Sequence, residues 1–106
     1  MSENNTAVTL APQQYLPPIG GKKSMIHILA VSNNEIKFEI NQKQKGETTV
    51  YLTDEHGKII RNKNFIAAEK GKWNNTISTK GLTAGRYYLQ VSLDKQVEHL
   101  QEVIVD

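Results

Sequence analysis

Apolar side chains recur at every second position along several short stretches of this sequence. In Ile36-Lys37-Phe38-Glu39-Ile40 the apolar residues alternate with charged ones. Successive side chains of a β-strand point to opposite faces, so this pattern predicts a strand with one buried and one solvent-facing side. No run of about 11 residues keeps the i, i+3, i+4, i+7 spacing of an amphipathic helix. The chain is therefore predicted to be all-β.

Turn residues separate the alternating runs at intervals of about 8 to 12 residues, which is typical of sandwiches. The run Asp-Glu-His-Gly at 54–57 predicts a hairpin turn, because its glycine can take a positive φ. About seven short strands fit an antiparallel β-sandwich of immunoglobulin-like type better than a barrel. The predicted strands lie at 36–40, 49–53, 58–62, 65–67, 72–78, 87–93 and 97–105.

The first 24 residues differ in composition from the rest. They hold all three prolines and the Gly20-Gly21 pair, which favours a flexible tail or linker over a packed element. Within them, the weak alternation of residues 6–10 predicts a strand that can be donated to the sheet edge of a neighbour. The sandwich domain is predicted to occupy residues 25–106, since a chain of 106 residues suffices for one compact domain.

Composition excludes several classes of function. A formal net charge of +2 lacks the basic excess that binding to nucleic acid needs. The absence of cysteine excludes disulfides and cysteine-based zinc sites. The longest nearly apolar run, 25–31, is far shorter than the ~20 residues of a membrane helix. We therefore expect neither a nucleic-acid partner nor a membrane span.

The sequence also lacks the patterns of an active site. The three histidines fall on different predicted elements and do not have the spacing of a metal-binding pair. Asp54, Glu55 and His56 cluster as polar residues do in any tight turn. No serine lies in a Gly-x-Ser-x-Gly nucleophile motif. We expect a domain without enzymatic activity, cofactor or metal.

The run Gly-Leu-Thr-Ala-Gly at 81–85 directly precedes a predicted strand. Leu82 is predicted to plug the end of the core, and Gly85 to permit a sharp backbone entry into the strand. Tyr87 is predicted to point inward, with its hydroxyl within reach of backbone at the rim of the sandwich. These residues thus predict a corner of the fold.

The ordered set TTVYLTDEHGKII, NNTISTKGLTAGRYYLQV and LQEVIV resembles the C-terminal sorting domains of the Bacteroidetes type IX (Por) secretion system, and related small immunoglobulin-like modules share the pattern. In that family a strand ending in Asp is followed by a Gly-Lys hairpin, a Leu-x-x-Gly-x-Tyr corner and a final strand. The matching positions here are Asp54, Gly57, Lys58, Leu82, Gly85 and Tyr87. The resemblance implies a non-catalytic domain recognised by a protein partner in the secretion or surface machinery.

Location and two alternative functions stay open. The N-terminus lacks the basic start and apolar run of a secretory signal, so a secreted or cell-surface location requires that a signal has been removed. Trp73, Tyr51 and Tyr88 are candidate exposed aromatics, which can stack on sugar rings or contact protein, and this predicts a carbohydrate-binding or adhesive domain. Core closure is the alternative role of Trp73. Strand donation by residues 6–10 predicts a self-associating structural subunit.

Overall fold

The computed structural model describes residues 17–106, except for the side chains of residues 66–68. The predicted donated strand at 6–10 lies outside this range. Among the described residues no helix is long and apolar enough to cross a membrane. Every regular element of the described range is a strand: β1 (Ser24–Ser32), β2 (Glu35–Gln42), β3 (Gly46–Asp54), β4 (Ile59–Ala68), β5 (Gly71–Ser78), β6 (Gly85–Leu93) and β7 (Gln96–Val105).

The strands form two antiparallel sheets. One has the order β1-β2-β5 and the other β4-β3-β6-β7. In the constant-type immunoglobulin domain the fourth strand pairs with the fifth. Here the fourth strand has switched sheets and pairs with the third. The chain is thus a switched immunoglobulin-like β-sandwich, which confirms the predicted fold class.

Strand β2 shows how the alternation closes the sandwich. Ile36, Phe38 and Ile40 are fully buried, whereas the intervening Lys37 is exposed. Each such apolar side chain contributes about 1.5–3 kcal/mol when it is buried. Together with residues of the four-stranded sheet, including Val50, Leu52, Leu89 and Val91, they form the hydrophobic core between the two sheets.

Strand β4 differs from the prediction. The two strands expected at 58–62 and 65–67 are one continuous strand, and the alternation does not single out β1. In β4 the inner face is partly polar, since Arg61 and Lys63 lie opposite the buried Leu52 and Val50 of β3, while Phe65 packs against the core. An edge strand tolerates this, because a long charged side chain can cover apolar surface while its head reaches water.

The two long sides of the sandwich differ in how well they are closed. On the closed side, formed by the edges of β1 and β7, the Ile26 amide donates a 3.0 Å hydrogen bond to His99 Nδ1. Residues 17–23 also run along this side. Here the Gly20 amide donates to the Val97 carbonyl at 2.6 Å, and the Lys23 amide donates to Glu98 Oε1 at 2.6 Å. We call the opposite side, formed by the edges of β4 and β5, the open side.

Candidate functional site

Two groups of motif residues, distant in sequence, meet at one end of the sandwich. Strand β3 ends at Asp54 beside the beginning of β6, where Asp54 and Tyr87 are ladder partners. The loop between β5 and β6 carries Leu82 to the same place, so that Leu82 and Asp54 line one cavity. We call this region, the turn at 54–58 and the corner at 81–87, the motif end.

The Asp54 side chain organises the β3–β4 turn. Its Oδ1 atom accepts hydrogen bonds from the amides of His56 at 2.8 Å and Lys58 at 3.0 Å. The Gly57 amide donates to the Asp54 carbonyl at 3.0 Å, and Gly57 has a φ of 84°. An aspartate that accepts from nearby amides, followed by a residue with positive φ, fixes the shape of such a turn. Lys58 contributes through its backbone, which also pairs with Asp54.

The corner before β6 is held by Tyr87. Its ring is buried, and its hydroxyl donates a 2.7 Å hydrogen bond to the Thr83 carbonyl. A tyrosine at this point of an immunoglobulin-like sandwich, bonded to backbone a few residues upstream, forms a tyrosine corner. Gly85 has a φ of 154°, and a Cβ placed on it would meet no heavy atom within 4 Å. The requirement for glycine there comes from the backbone conformation and not from lack of space.

Leu82 lies between two shallow cavities at the motif end. It packs against the core while remaining partly exposed. A cavity of about 370 Å³ lies on one side, lined by residues that include Glu55 and Arg86. A cavity of about 290 Å³ lies on the other, lined by residues that include Asn33 and Asp106. Both cavities contain Leu82 and Gly81 in their walls, so the motif end presents an apolar ridge between two depressions, of which the smaller is mainly polar.

The charged groups at this end are held in place by partners within the domain. Asp54 Oδ1 already accepts two turn amides, and Arg86 Nε forms an ion pair of 2.7 Å with Glu102 on the exposed face. Within residues 17–106 no three His, Cys, Asp or Glu side chains are grouped so as to hold a metal. The motif end therefore offers a defined shape, charges and hydrogen-bonding groups.

The three predicted aromatic residues do not form one surface. Trp73 is half-buried on the inner face of β5 and packs edge-on against Phe65, with ring centroids 4.7 Å apart. Tyr51 and Tyr88 lie on the outer face of the other sheet, on the paired strands β3 and β6. Their binding role stays a prediction.

The sequence pattern does not predict the burial of two polar side chains, Gln42 and Glu98. Gln42 is 1% exposed, and its Oε1 accepts from the hydroxyls of Ser24 at 3.1 Å and Thr48 at 2.8 Å. Glu98 is 3% exposed and lies at an irregularity in the β6–β7 register, between the partners of Val91 and Ser92. Such an irregularity places Glu98 inward where simple alternation gives no signal.

His99 is the histidine that the fold perturbs. Burial, together with the positive charge of Lys22, lowers the pKa of His99 below its ordinary value of 6.5. His99 lies on the closed side, away from the motif end. It contributes to the attachment of β1 and not to the candidate site.

Comparison with known families agrees with the motifs. The model of the family described as the secretion system C-terminal sorting domain matches residues 31–106, a range that includes both groups of motif residues and six of the seven strands in full. A comparison with curated proteins found no matching relative. The fold, the motif positions and this match lead to one conclusion. The chain belongs to the family of secretion system C-terminal sorting domains.

Proposed function

We propose that this domain directs a protein to the type IX secretion machinery and that the machinery recognises the folded sandwich at the motif end. A protein carrying such a domain is exported to the cell surface or released. The partner is then a protein of the secretion apparatus, and no cofactor takes part.

The observation that carries the proposal is the convergence of the motif residues. Asp54 and Gly57 shape one loop, Gly85 and Tyr87 shape the next, and Leu82 forms the ridge that both loops flank. A surface whose loops are fixed before binding loses less conformational entropy when a partner docks. The motif thus supports recognition of a folded surface, in which residues from separate strands act together.

Export of a reporter tests this proposal. The full chain is fused to the C-terminus of a fluorescent reporter that carries an N-terminal secretory signal, and the fusion is expressed in a host with a type IX system. We expect the reporter at the cell surface or in the medium, and in the periplasm when the domain is omitted. Periplasmic retention of the complete fusion would contradict the sorting role.

A charge-swapped variant tests the place of recognition. Glu55→Lys combined with Arg86→Glu reverses two side chains at the motif end without changing net charge, and both residues line the larger cavity. The control is Lys43→Glu combined with Glu69→Lys, two exposed positions at the opposite end of the sandwich. We expect the exported fraction to fall at least fivefold for the first variant only, while both variants, each of which breaks one exposed ion pair, stay folded with similar unfolding midpoints. Equal export of the two would show that the motif end is not the recognised surface.

Glycan binding is a second candidate function, favoured by the outer face of the four-stranded sheet. Tyr51 lies there opposite Gln90 and Asn62, and Tyr88 is a diagonal neighbour. The Asn62 side chain is exposed beside Tyr51. Aromatic rings beside amide groups can stack on sugar rings and bond their hydroxyls.

A glycan array distinguishes this candidate from the first. Binding that is lost in Tyr51→Ala and Tyr88→Ala, and retained in Trp73→Ala on the inner face, would support it. An array on which the wild-type protein binds no glycan would remove it and leave the sorting role untouched.

A further inference from the structure

The open side carries a local excess of positive charge. Residues 61–80, which form most of β4 and all of β5, contain five basic residues and one acidic residue, a net charge of +4. The whole chain has a net charge of only +2, so the rest of the molecule is acidic on balance. The single acid, Glu69, already lies 3.5 Å from Lys45 in an exposed ion pair. The basic residues are Arg61, Lys63, Lys70, Lys72 and Lys80.

The same side presents the outer edges of two strands. Strands β4 and β5 are outermost in their sheets, and no described strand pairs with their outer edges. In β5 the Thr76 amide donates at 2.8 Å to the side chain of its neighbour Asn75, so it points away from β2. Because backbone groups alternate in direction along an antiparallel strand, those of Asn74 and Lys72 also point outward.

A mainly apolar cleft lies beside this edge. Phe65, Trp73, Lys70 and Lys72 line it together with Glu69, and its volume is about 420 Å³. The indole Nε1 of Trp73 has no acceptor among the described residues. This nitrogen is itself buried, so the surface that the cleft offers to a ligand is mainly apolar.

We infer that the β5 edge and the Phe65–Trp73 cleft form a binding site for an acidic, extended peptide that adds a strand to the three-stranded sheet. Backbone hydrogen bonds give affinity in this mode and side-chain pockets give selectivity. The cleft accepts an apolar side chain, and the flanking Lys70 and Lys72 attract carboxylates on either side of it. A second copy of the domain is the wrong partner, because its own open side is equally basic and lysine on an edge opposes pairing. The site is separate from the motif end and does not depend on the export role.

Selection from a display library of nine-residue peptides against the full chain tests the inference. We expect the selected peptides to be enriched in Asp and Glu alternating with apolar residues. A synthetic peptide of this pattern is then titrated in solution. Since Trp73 is the only tryptophan of the chain, its fluorescence reports binding at the cleft directly.

Matched changes in protein and peptide separate the contributions. Lys70→Glu combined with Lys72→Glu should weaken binding of the acidic peptide at least tenfold, whereas Lys22→Glu combined with Lys95→Glu, exposed positions next to β7, should change it less than twofold. Methylation of alternate peptide amides removes donors that an added strand needs, and should also weaken binding at least tenfold.

Three results would each overturn the inference. The first is a selection without acidic enrichment, or without any peptide whose binding alters Trp73 fluorescence. The second is equal binding by the two charge-reversed proteins. The third is that a polyphosphate of the same charge displaces the peptide as well as the unlabelled peptide does, or that the methylated peptide binds as tightly as the unmethylated one. Either result would show that the site attracts anions without adding a strand.

Discussion

The Tyr87 hydroxyl donates a 2.7 Å hydrogen bond to the main-chain carbonyl of Thr83 and thereby ties the beginning of β6 to the loop before it. The two partners are four positions apart in the sequence, so the bond closes a short loop of backbone at the motif end. The Thr83 hydroxyl lies 3.3 Å from the Tyr87 hydroxyl oxygen. One phenolic oxygen thus fixes the corner from which Leu82 projects.

Replacement of Tyr87 by Phe tests this bond. The ring and its burial are retained, so the expected loss is that of one hydrogen bond, about 0.5–1.5 kcal/mol in the free energy of unfolding. Urea denaturation followed by circular dichroism measures it. Tyr88→Phe is the control, because Tyr88 lies on the outer face and should change stability by less than about 0.5 kcal/mol. Equal effects of the two substitutions would show that the corner bond contributes nothing.

Gly85→Ala should destabilise the domain through backbone strain alone. The φ of 154° is one that L-residues rarely adopt, while the space for a methyl group is empty. We expect a loss of about 1–3 kcal/mol in unfolding free energy. Gly21→Ala is the matched control, because the nearest atom to its added Cβ lies at an ordinary 3.9 Å. A neutral Gly85→Ala in a thermal melt would contradict the role given to this glycine.

The sandwich itself is largely predictable from sequence, because burial of one strand face imposes period-two alternation in β2, β3 and β6. The prediction of two strands is wrong in β4, where Arg61 and Lys63 interrupt the apolar inner face at a sheet edge. An edge strand needs no continuous apolar stripe, so its pattern carries little signal. The turn at 54–57 and the corner at 81–85 depend on local turn residues, so the sequence predicts them as well.

The candidate site is less predictable than the fold. Each motif could be identified separately, but their meeting depends on the pairing of Asp54 with Tyr87, which is a long-range register. The separation of Trp73 from Tyr51 and Tyr88 likewise depends on which sheet each strand joins. Local sequence patterns determine neither the pairing of Asp54 with Tyr87 nor the sheet to which each strand belongs. Glu98 escapes detection because the register irregularity beside it breaks the alternation.

His99 should make stability depend on pH. Its folded pKa is lowered from 6.5 by burial and by Lys22, so the folded state favours the neutral ring that accepts the Ile26 amide. This contribution is fully present above pH 6.5, and is lost as pH falls from 6.5 through the lowered folded pKa. Urea denaturation between pH 7.5 and pH 5 measures the loss.

The matched variants for this prediction are His99→Asn and His27→Asn. Asparagine keeps an acceptor at position 99 but cannot titrate, so His99→Asn should flatten the pH dependence. His27 is exposed on β1, and its replacement should leave the pH dependence unchanged. If His99→Asn retains the wild-type slope, another group is responsible.

Glu98 should hold residues 17–23 against the body of the domain. Its buried carboxylate accepts the Lys23 amide at 2.6 Å, and a hydrogen bond to a charged group contributes about 1.5–3 kcal/mol. Glu98→Ala should therefore raise the hydrogen-exchange rate of the Lys23 amide by roughly 10–100-fold and speed tryptic cleavage after Lys22 and Lys23. Gln101→Ala, an exposed position on the same strand, serves as the control and should leave both rates unchanged. Unaltered exchange at Lys23 in Glu98→Ala would show that the Gly20–Val97 hydrogen bond alone holds the segment.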